Sequence, residues 1–212
     1  MKKIYLVLLV TIILGFVAEN KASGQDGCLN CPAEFPFCYI AYIPPSVCPT
    51  GGTVTVCFNI QDCPNLVSIY VTDVSAAPEC MVNVFTWFIN NWVRDSLRWI
   101  CGYKPCSEPP PVDLYYFVPI CGKVKWDGET RRLTYERKHG DCRKDCLTHI
   151  RWCMDGNEWR WEIVSKTIIG SGTCPEINYI DPPYYFSTDS TSEHYRWEIE
   201  CTRIIGVNCE ME

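Results

Sequence analysis

The sequence predicts a mainly β protein with one long helix, at about residues 79–101, held together by many disulfide bonds. Three observations predict it: short segments in which apolar and polar residues alternate, one segment with a period of three to four residues, and 16 Cys among 212 residues. The helix falls in the first half of the chain. We therefore expect a small α+β N-terminal half and an all-β C-terminal half of short strands and hairpins.

The composition excludes several classes of protein. With 47% hydrophobic and 21% charged residues, the chain is too apolar for a disordered tail and too polar for a multi-span membrane protein. The net charge of -6 argues against a nucleic-acid partner, because binding phosphates requires a surplus of Lys and Arg.

The N-terminus has the features of a signal peptide. Two Lys at 2–3 precede an apolar run over 4–18, and small residues at 22–24 precede Gln25. The run is short for a bilayer span of roughly 20 residues, so we predict cleavage after residue 24 and no membrane span in the mature chain. The expected location is outside the cytoplasm, either secreted or in the cell envelope (periplasm or cell surface). The absence of an N-x-S/T motif mildly favours a bacterial envelope protein.

An even and dense set of cysteines in an exported chain predicts disulfide bonds. Sequence cannot choose among the possible pairings. The candidates are Cys28, Cys31, Cys38, Cys48, Cys57, Cys63, Cys80, Cys101, Cys106, Cys121, Cys142, Cys146, Cys153, Cys174, Cys201 and Cys209.

Two cysteine clusters allow other chemistry. Cys28 and Cys31 have the C-x-x-C spacing of redox enzymes, but no strand precedes them, which favours structural bridges. The set Cys142, Cys146, His149 and Cys153 could hold zinc. An oxidising compartment favours disulfides there too, so we predict no metal and no cofactor.

The region 25–106 is predicted to contain a hairpin and the helix. Residues 25–52 are rich in turn-forming residues, whereas 53–60 alternates as a half-buried strand and 66–74 reads as its return strand. Pro78 suits the start of the helix and Gly102 its end. Cys80 and Cys101 would lie roughly 31 Å apart along that helix, so each must bond elsewhere.

The proline-rich segment 107–111 is the predicted linker to the region 112–212. Nine cysteines precede it and seven follow it. Because both counts are odd, complete pairing within the chain requires at least one disulfide that crosses the linker.

The region 112–212 is predicted to be β. A strand covers 114–120, a hairpin covers 124–135 with its turn at Asp127-Gly128, and a second hairpin covers 150–163 with its turn at 155–157. A last strand covers 195–201. The strand tryptophans are expected in the core: Trp152, Trp159, Trp161 and Trp197.

Two sets of side chains are candidate binding residues. The aromatic set, which we expect in a loop and suited to stacking on sugar rings or on another protein, is Tyr179, Tyr184, Tyr185 and Phe186. The basic set, suited to an anionic glycan or an acidic patch on a second copy, is Arg131, Arg132, Arg137 and Lys138. The alternative for the basic set is a solvated hairpin face with interspersed acids.

No signature of catalysis is present. G-x-S-x-G, H-E-x-x-H, the P-loop and G-x-G-x-x-G are all missing, so no catalytic residue is assigned. The leading hypothesis is a non-catalytic structural, surface, matrix or filament component, or a protein-interaction module. Its expected partners are other extracellular proteins, copies of itself or glycans. The alternatives are a carbohydrate-binding module and a secreted hydrolase, which would need a His or a carboxylate pair in a cleft.

Overall fold

The structure is a computed structural model that describes residues 28, 31–96, 101–102, 104–138, 142–176, 186–204, 206–207 and 209. The predicted signal peptide lies outside these residues. No helix in the described part of the chain combines the length and the apolar character needed to cross a membrane.

The described chain contains nine strands and one helix, which confirms the predicted fold class. Helix α1 covers 78–96 and contains a 3-10 turn (Pro78–Cys80), an α segment (Met81–Trp87) and a π segment (Phe88–Val93). The strands are β1 (Phe37–Tyr42), β2 (Gly52–Asn59), β3 (Leu66–Ala76), β4 (Val112–Pro119), β5 (Cys121–Asp127), β6 (Arg132–Arg137), β7 (Asp145–Asp155), β8 (Glu158–Ile169) and β9 (Arg196–Arg203).

The sheet divides at β3. Strand β2 pairs along one edge of β3, over Ser68 to Ala76, and β1 pairs with β2. The other edge of β3 is shared, because β4 pairs with its first part, up to Tyr70, and β6 pairs with its last part, from Asp73. One arm continues as β4, β7 and β8, and the other as β6, β5 and β9. We call the point of division, at Val71 and Thr72, the fork.

Helix α1 packs on one face of the divided sheet, near the fork. Phe85 stacks on Tyr135 of β6 at 6.4 Å between ring centroids, and Phe88 stacks on Tyr116 of β4 at 5.9 Å. The helical period of the sequence predicts an apolar face that includes Val84, Phe85 and Phe88, and these three residues are buried. The helix therefore joins the two arms through one apolar core.

All 16 cysteines form disulfides. Cys80 and Cys101 bond to different partners, and one bridge, Cys106–Cys153, crosses segment 107–111. Both results confirm the arguments from helix length and from odd counts. The pairs are Cys28–Cys38, Cys31–Cys57, Cys48–Cys80, Cys63–Cys101, Cys106–Cys153, Cys121–Cys174, Cys142–Cys201 and Cys146–Cys209.

Two local predictions were wrong. Strand β1 lies in the region read as turns. On β2, Thr55 and Cys57 are buried on the face that was expected to meet solvent, and Cys57 there forms the disulfide with Cys31. The first hairpin of the C-terminal half has a longer turn than Asp127-Gly128. In this turn the residue with a left-handed backbone conformation is Arg131, with φ 55°. Gly128 is required for a different reason, because a Cβ at this position would lie 2.3 Å from the Ser187 carbonyl oxygen.

Candidate functional site

A groove runs between α1 and the arm of the sheet that ends in β8. Its volume is about 360 Å³. The floor comes from β4 and β7, one wall from the helix and the other from β8. Residues that line it are Phe85, Thr86, Ile89, Asn90, Tyr116, Val118, Thr148, Ile150, Trp161, Ile163 and Lys166.

The topology explains why this groove is open. The helix covers the centre of the sheet, where β3, β4 and β6 meet, so β7 and β8 extend beyond it on one side. In this arm Leu114, Ile150 and Ile163 lie opposite one another on successive strands. The first two are buried, whereas Ile163 is 41% exposed. The apolar face of the sheet thus continues past its helical cover.

The strand tryptophans divide between the core and this groove. Trp152 is buried and contacts Trp159, with 4.5 Å between ring centroids, and Trp197 is half-buried against the core. Trp161, which lies opposite Trp152, is 44% exposed. The expectation that Trp161 packs in the core was wrong, because β8 has no further strand or helix over that face within the described residues.

A buried ion pair stabilises the fork from inside. Arg137 Nη1 lies 2.6 Å from Asp145 Oδ1, and Arg137 Nε donates to the Val71 carbonyl oxygen at 2.9 Å. The guanidinium carbon is 3.3 Å from the centroid of the Tyr70 ring. Burial raises the pKa of Asp145, and the charges of Arg137 and Arg143 oppose that rise. Arg137 satisfies a carbonyl that the divided sheet leaves without a strand partner.

The structure separates the basic candidate residues. Arg137 is buried, which corrects its place in an exposed basic set. Arg132 Nη2 donates to the Thr50 carbonyl oxygen at 3.0 Å, and Lys138 Nζ lies 3.0 Å from Glu200 Oε2. Arg131 is exposed in the turn before β6. Acids accompany the bases on this side of the sheet, which agrees with the alternative of a mixed, solvated face.

The aromatic candidate residues are only partly described. Tyr179, Tyr184 and Tyr185 lie outside the described residues. Phe186 is half-buried and packs edge-on against Trp126, with 5.0 Å between ring centroids. Phe186 therefore belongs to the edge of the core, which corrects its place in an exposed platform.

Among the described residues, the contact between His149 and Asp113 is the arrangement most similar to part of a hydrolytic site. His149 Nε2 lies 2.7 Å from Asp113 Oδ1, and Tyr115 stacks on the His149 ring at 4.6 Å. Ser165 is opposite His149 in the strand register, but no hydrogen bond joins the two side chains in the described part of the chain. The group lies on the face of the sheet away from α1, outside the groove, so the geometry does not support the hydrolase hypothesis.

The alternative of a zinc site is also corrected. Cys142, Cys146 and Cys153 form three separate disulfides, with Cys201, Cys209 and Cys106. A disulfide sulfur is not the thiolate ligand that zinc requires.

Sequence reasoning missed two surface features. The first is the groove, whose exposed wall depends on which strand ends the sheet. The second is a pair of exposed aromatic side chains on β1, Phe37 and Tyr39, which are 43% and 51% exposed. The segment Phe37–Tyr42 is a short apolar run bounded by prolines, and this was the available signal.

Compared with protein-family models, curated proteins and solved structures, the chain has no significant match.

Proposed function

We propose that this chain is an extracellular, non-catalytic protein that acts by binding other proteins, as a structural, surface, matrix or filament component. The observation that carries the proposal is the open groove, whose β8 wall exposes Trp161 and Ile163. Large apolar side chains that remain open beside a well-packed core are typical of an interaction surface.

The disulfides support the extracellular part of the proposal. The chain has eight disulfides, and such a number is typical of proteins in an oxidising compartment. Two of the disulfides also restrain the elements that form the groove. Cys146, in its floor, bonds to Cys209, and Cys80, at the start of α1, bonds to Cys48. A surface held in this way loses little conformational entropy when a partner binds.

The groove suits a polypeptide with apolar side chains. Ile89 of α1 and Trp161 and Ile163 of β8 offer apolar contact area, and Asn90 and Thr86 offer hydrogen bonds at the helical rim. This combination of an apolar centre and a polar rim is the usual anatomy of a protein interface.

Site-specific crosslinking tests the proposal. A photoreactive amino acid replaces Asn90, at the groove, or Glu193, whose side chain is 88% exposed outside the groove. The full oxidised protein is then exposed to the extracellular and envelope fractions of its source. We expect a defined polypeptide adduct from position 90 and none from position 193. Equal labelling at both positions, or no adduct at position 90, would contradict the proposal.

Glycan binding is a second candidate, and the exposed rings of β1 favour it. Phe37 and Tyr39 alternate with Cys38, so both rings lie on one face of the strand. Tyr39 stacks on Trp92 at 5.7 Å, and Phe37 stacks on Phe58 at the same distance. A glycan array tests this candidate. We expect hits that Tyr39→Ala abolishes, whereas an array without hits would end it.

A further inference from the structure

Strand β8 ends one arm of the sheet, and over 158–164 its outer backbone edge has no strand partner among the described residues. It has 12 residues and no proline, and within the described residues it pairs only with β7. The outermost strand of the other arm, β9, has a neighbouring segment, because Arg203 N donates to the Pro175 carbonyl oxygen at 3.1 Å. A long exposed edge strand with apolar side chains is a template for a further strand.

The outward face of β8 carries an acid and a base two residues apart, which favours a neighbouring strand with the complementary charges. On the face away from the groove, Asp113, Arg151 and Glu162 lie opposite one another on β4, β7 and β8. This row of alternating charge ends at the sheet edge with an acid. Arg160 lies on the same face of β8, two residues from Glu162.

We propose that a second copy of this chain pairs with β8 through its own β8, antiparallel and centred on Trp161. In this register Arg160 lies opposite Glu162 of the second copy, and the two-fold axis repeats the pair. Trp161 meets its own equivalent, and Trp159 lies opposite Ile163. The inference rests on the proposed function, because it names the protein partner at this edge of the groove.

The shape of β8 selects the centre of the pairing. The turn at 156–157 bounds the strand on one side, and the register shift in the β7–β8 pairing makes Val164 a bulge on the other. Arg160 and Trp161 are the two central residues of the stretch 158–163 that remains. The bulge bends the strand and ends the segment available for regular pairing.

Neighbouring registers bring like charges together. In an antiparallel pair, residues directly opposite each other lie on the same face of the sheet. The two-fold axis must therefore pass through a residue of β8, and the register can change only by moving this axis to a neighbouring residue. A pairing centred on Arg160 places that residue opposite itself and Glu158 opposite Glu162, and one centred on Glu162 places two carboxylates face to face. Like charges directly opposite each other are destabilising in a sheet. Of these three registers, only the one centred on Trp161 places opposite charges together. A register centred on Trp159 would pair Glu158 with Arg160, but it would extend the pairing into the turn at 156–157.

Charge reversal tests the pairing by analytical ultracentrifugation of the purified, oxidised, full-length protein. We expect the wild-type chain to sediment as a dimer. Arg160→Glu or Glu162→Arg alone creates two like-charge pairs, and we expect each to raise the dimer dissociation constant about tenfold or more. An equimolar mixture of the two variants should dimerise again, because each copy then supplies the charge that the other needs.

Glu193→Arg is the matched control, because its side chain is 88% exposed outside β8. We expect it to dimerise as the wild type does, and circular dichroism verifies that every variant is folded. A monomeric wild-type protein, reversals without effect, or a mixture that stays monomeric would overturn the inference. If the purified chain is monomeric while a probe at Asn90 still captures a polypeptide, the dimer is wrong and the proposed function stands. If the purified chain is a dimer but the probe at Asn90 captures no polypeptide, the dimer stands and the proposed function is wrong.

Discussion

Arg137 and Asp145 form an ion pair of 2.6 Å in which the side chains are 2% and 1% exposed. Arg137 ends β6 and Asp145 begins β7, so the pair joins the two arms of the sheet at the fork. The guanidinium also donates to the carbonyl oxygens of Val71 and Phe117. The divided sheet therefore uses a buried charge to satisfy backbone groups that no strand reaches.

Removing Arg137 should strongly destabilise the protein. We expect Arg137→Met to lower the free energy of unfolding by about 3–5 kcal/mol, because it leaves the buried Asp145 with only the longer contact to Arg143, at 3.6 Å. Guanidinium-induced unfolding with the disulfides intact measures the change. Arg196→Met is the control, since Arg196 pairs with Asp127 on the exposed surface and should cost far less. Equal losses in the two variants would contradict the structural role of the fork.

Glu200 should contribute to stability only above acidic pH. Lys123 and Lys138 lower the pKa of Glu200 to about 2, from an ordinary value of 4.5. Because the pKa is lower in the folded state, the contribution is complete above pH 4.5 and is lost as the pH falls towards 2. Melting temperatures of the wild type and Glu200→Gln should therefore converge over that range. A constant difference across it would show that the carboxylate charge is not responsible.

The disulfide across the proline-rich segment 107–111 should stabilise the protein more than a short local disulfide does. Cys106–Cys153 joins residues 47 positions apart, whereas Cys28–Cys38 joins residues 10 apart. We expect the double Ala variant at 106 and 153 to lose about 2–4 kcal/mol of unfolding free energy, and the variant at 28 and 38 to lose less, because the longer loop is the greater restriction of the unfolded chain. Denaturant unfolding compares them. The reverse order would contradict this explanation.

The two opposed tryptophans of β7 and β8 should differ in their effect on stability. Trp152 is 3% exposed, and we expect Trp152→Ala to cost about 3–5 kcal/mol because it leaves a cavity. Trp161→Ala should cost less than half of that, because the ring already contacts solvent. Chemical denaturation measures both variants. Similar costs would show that Trp161 is covered in the folded protein.

Sequence patterns predicted most of the segments that carry the fold. The alternation at 53–60 and 150–163 identified β2 and the β7–β8 hairpin, and the period of the helix identified its buried face. Strand β1 was missed because its apolar run lies between prolines and does not alternate. The position of Trp161 was wrong for another reason. Alternation shows that two faces differ, but not whether anything lies over either face.

The amino-acid sequence by itself determined most of the strand and helix segments and the need for a disulfide across the proline-rich segment. The periodicity of the apolar residues and the odd number of cysteines on each side of segment 107–111 can be read from the sequence, whatever the three-dimensional course of the chain. Only the tertiary structure decided which cysteines pair, that Arg137 is buried, and that Trp161 stands at an open edge. Each of these depends on distances between segments far apart in sequence, which are set when β4 and β6 divide one edge of β3 between them.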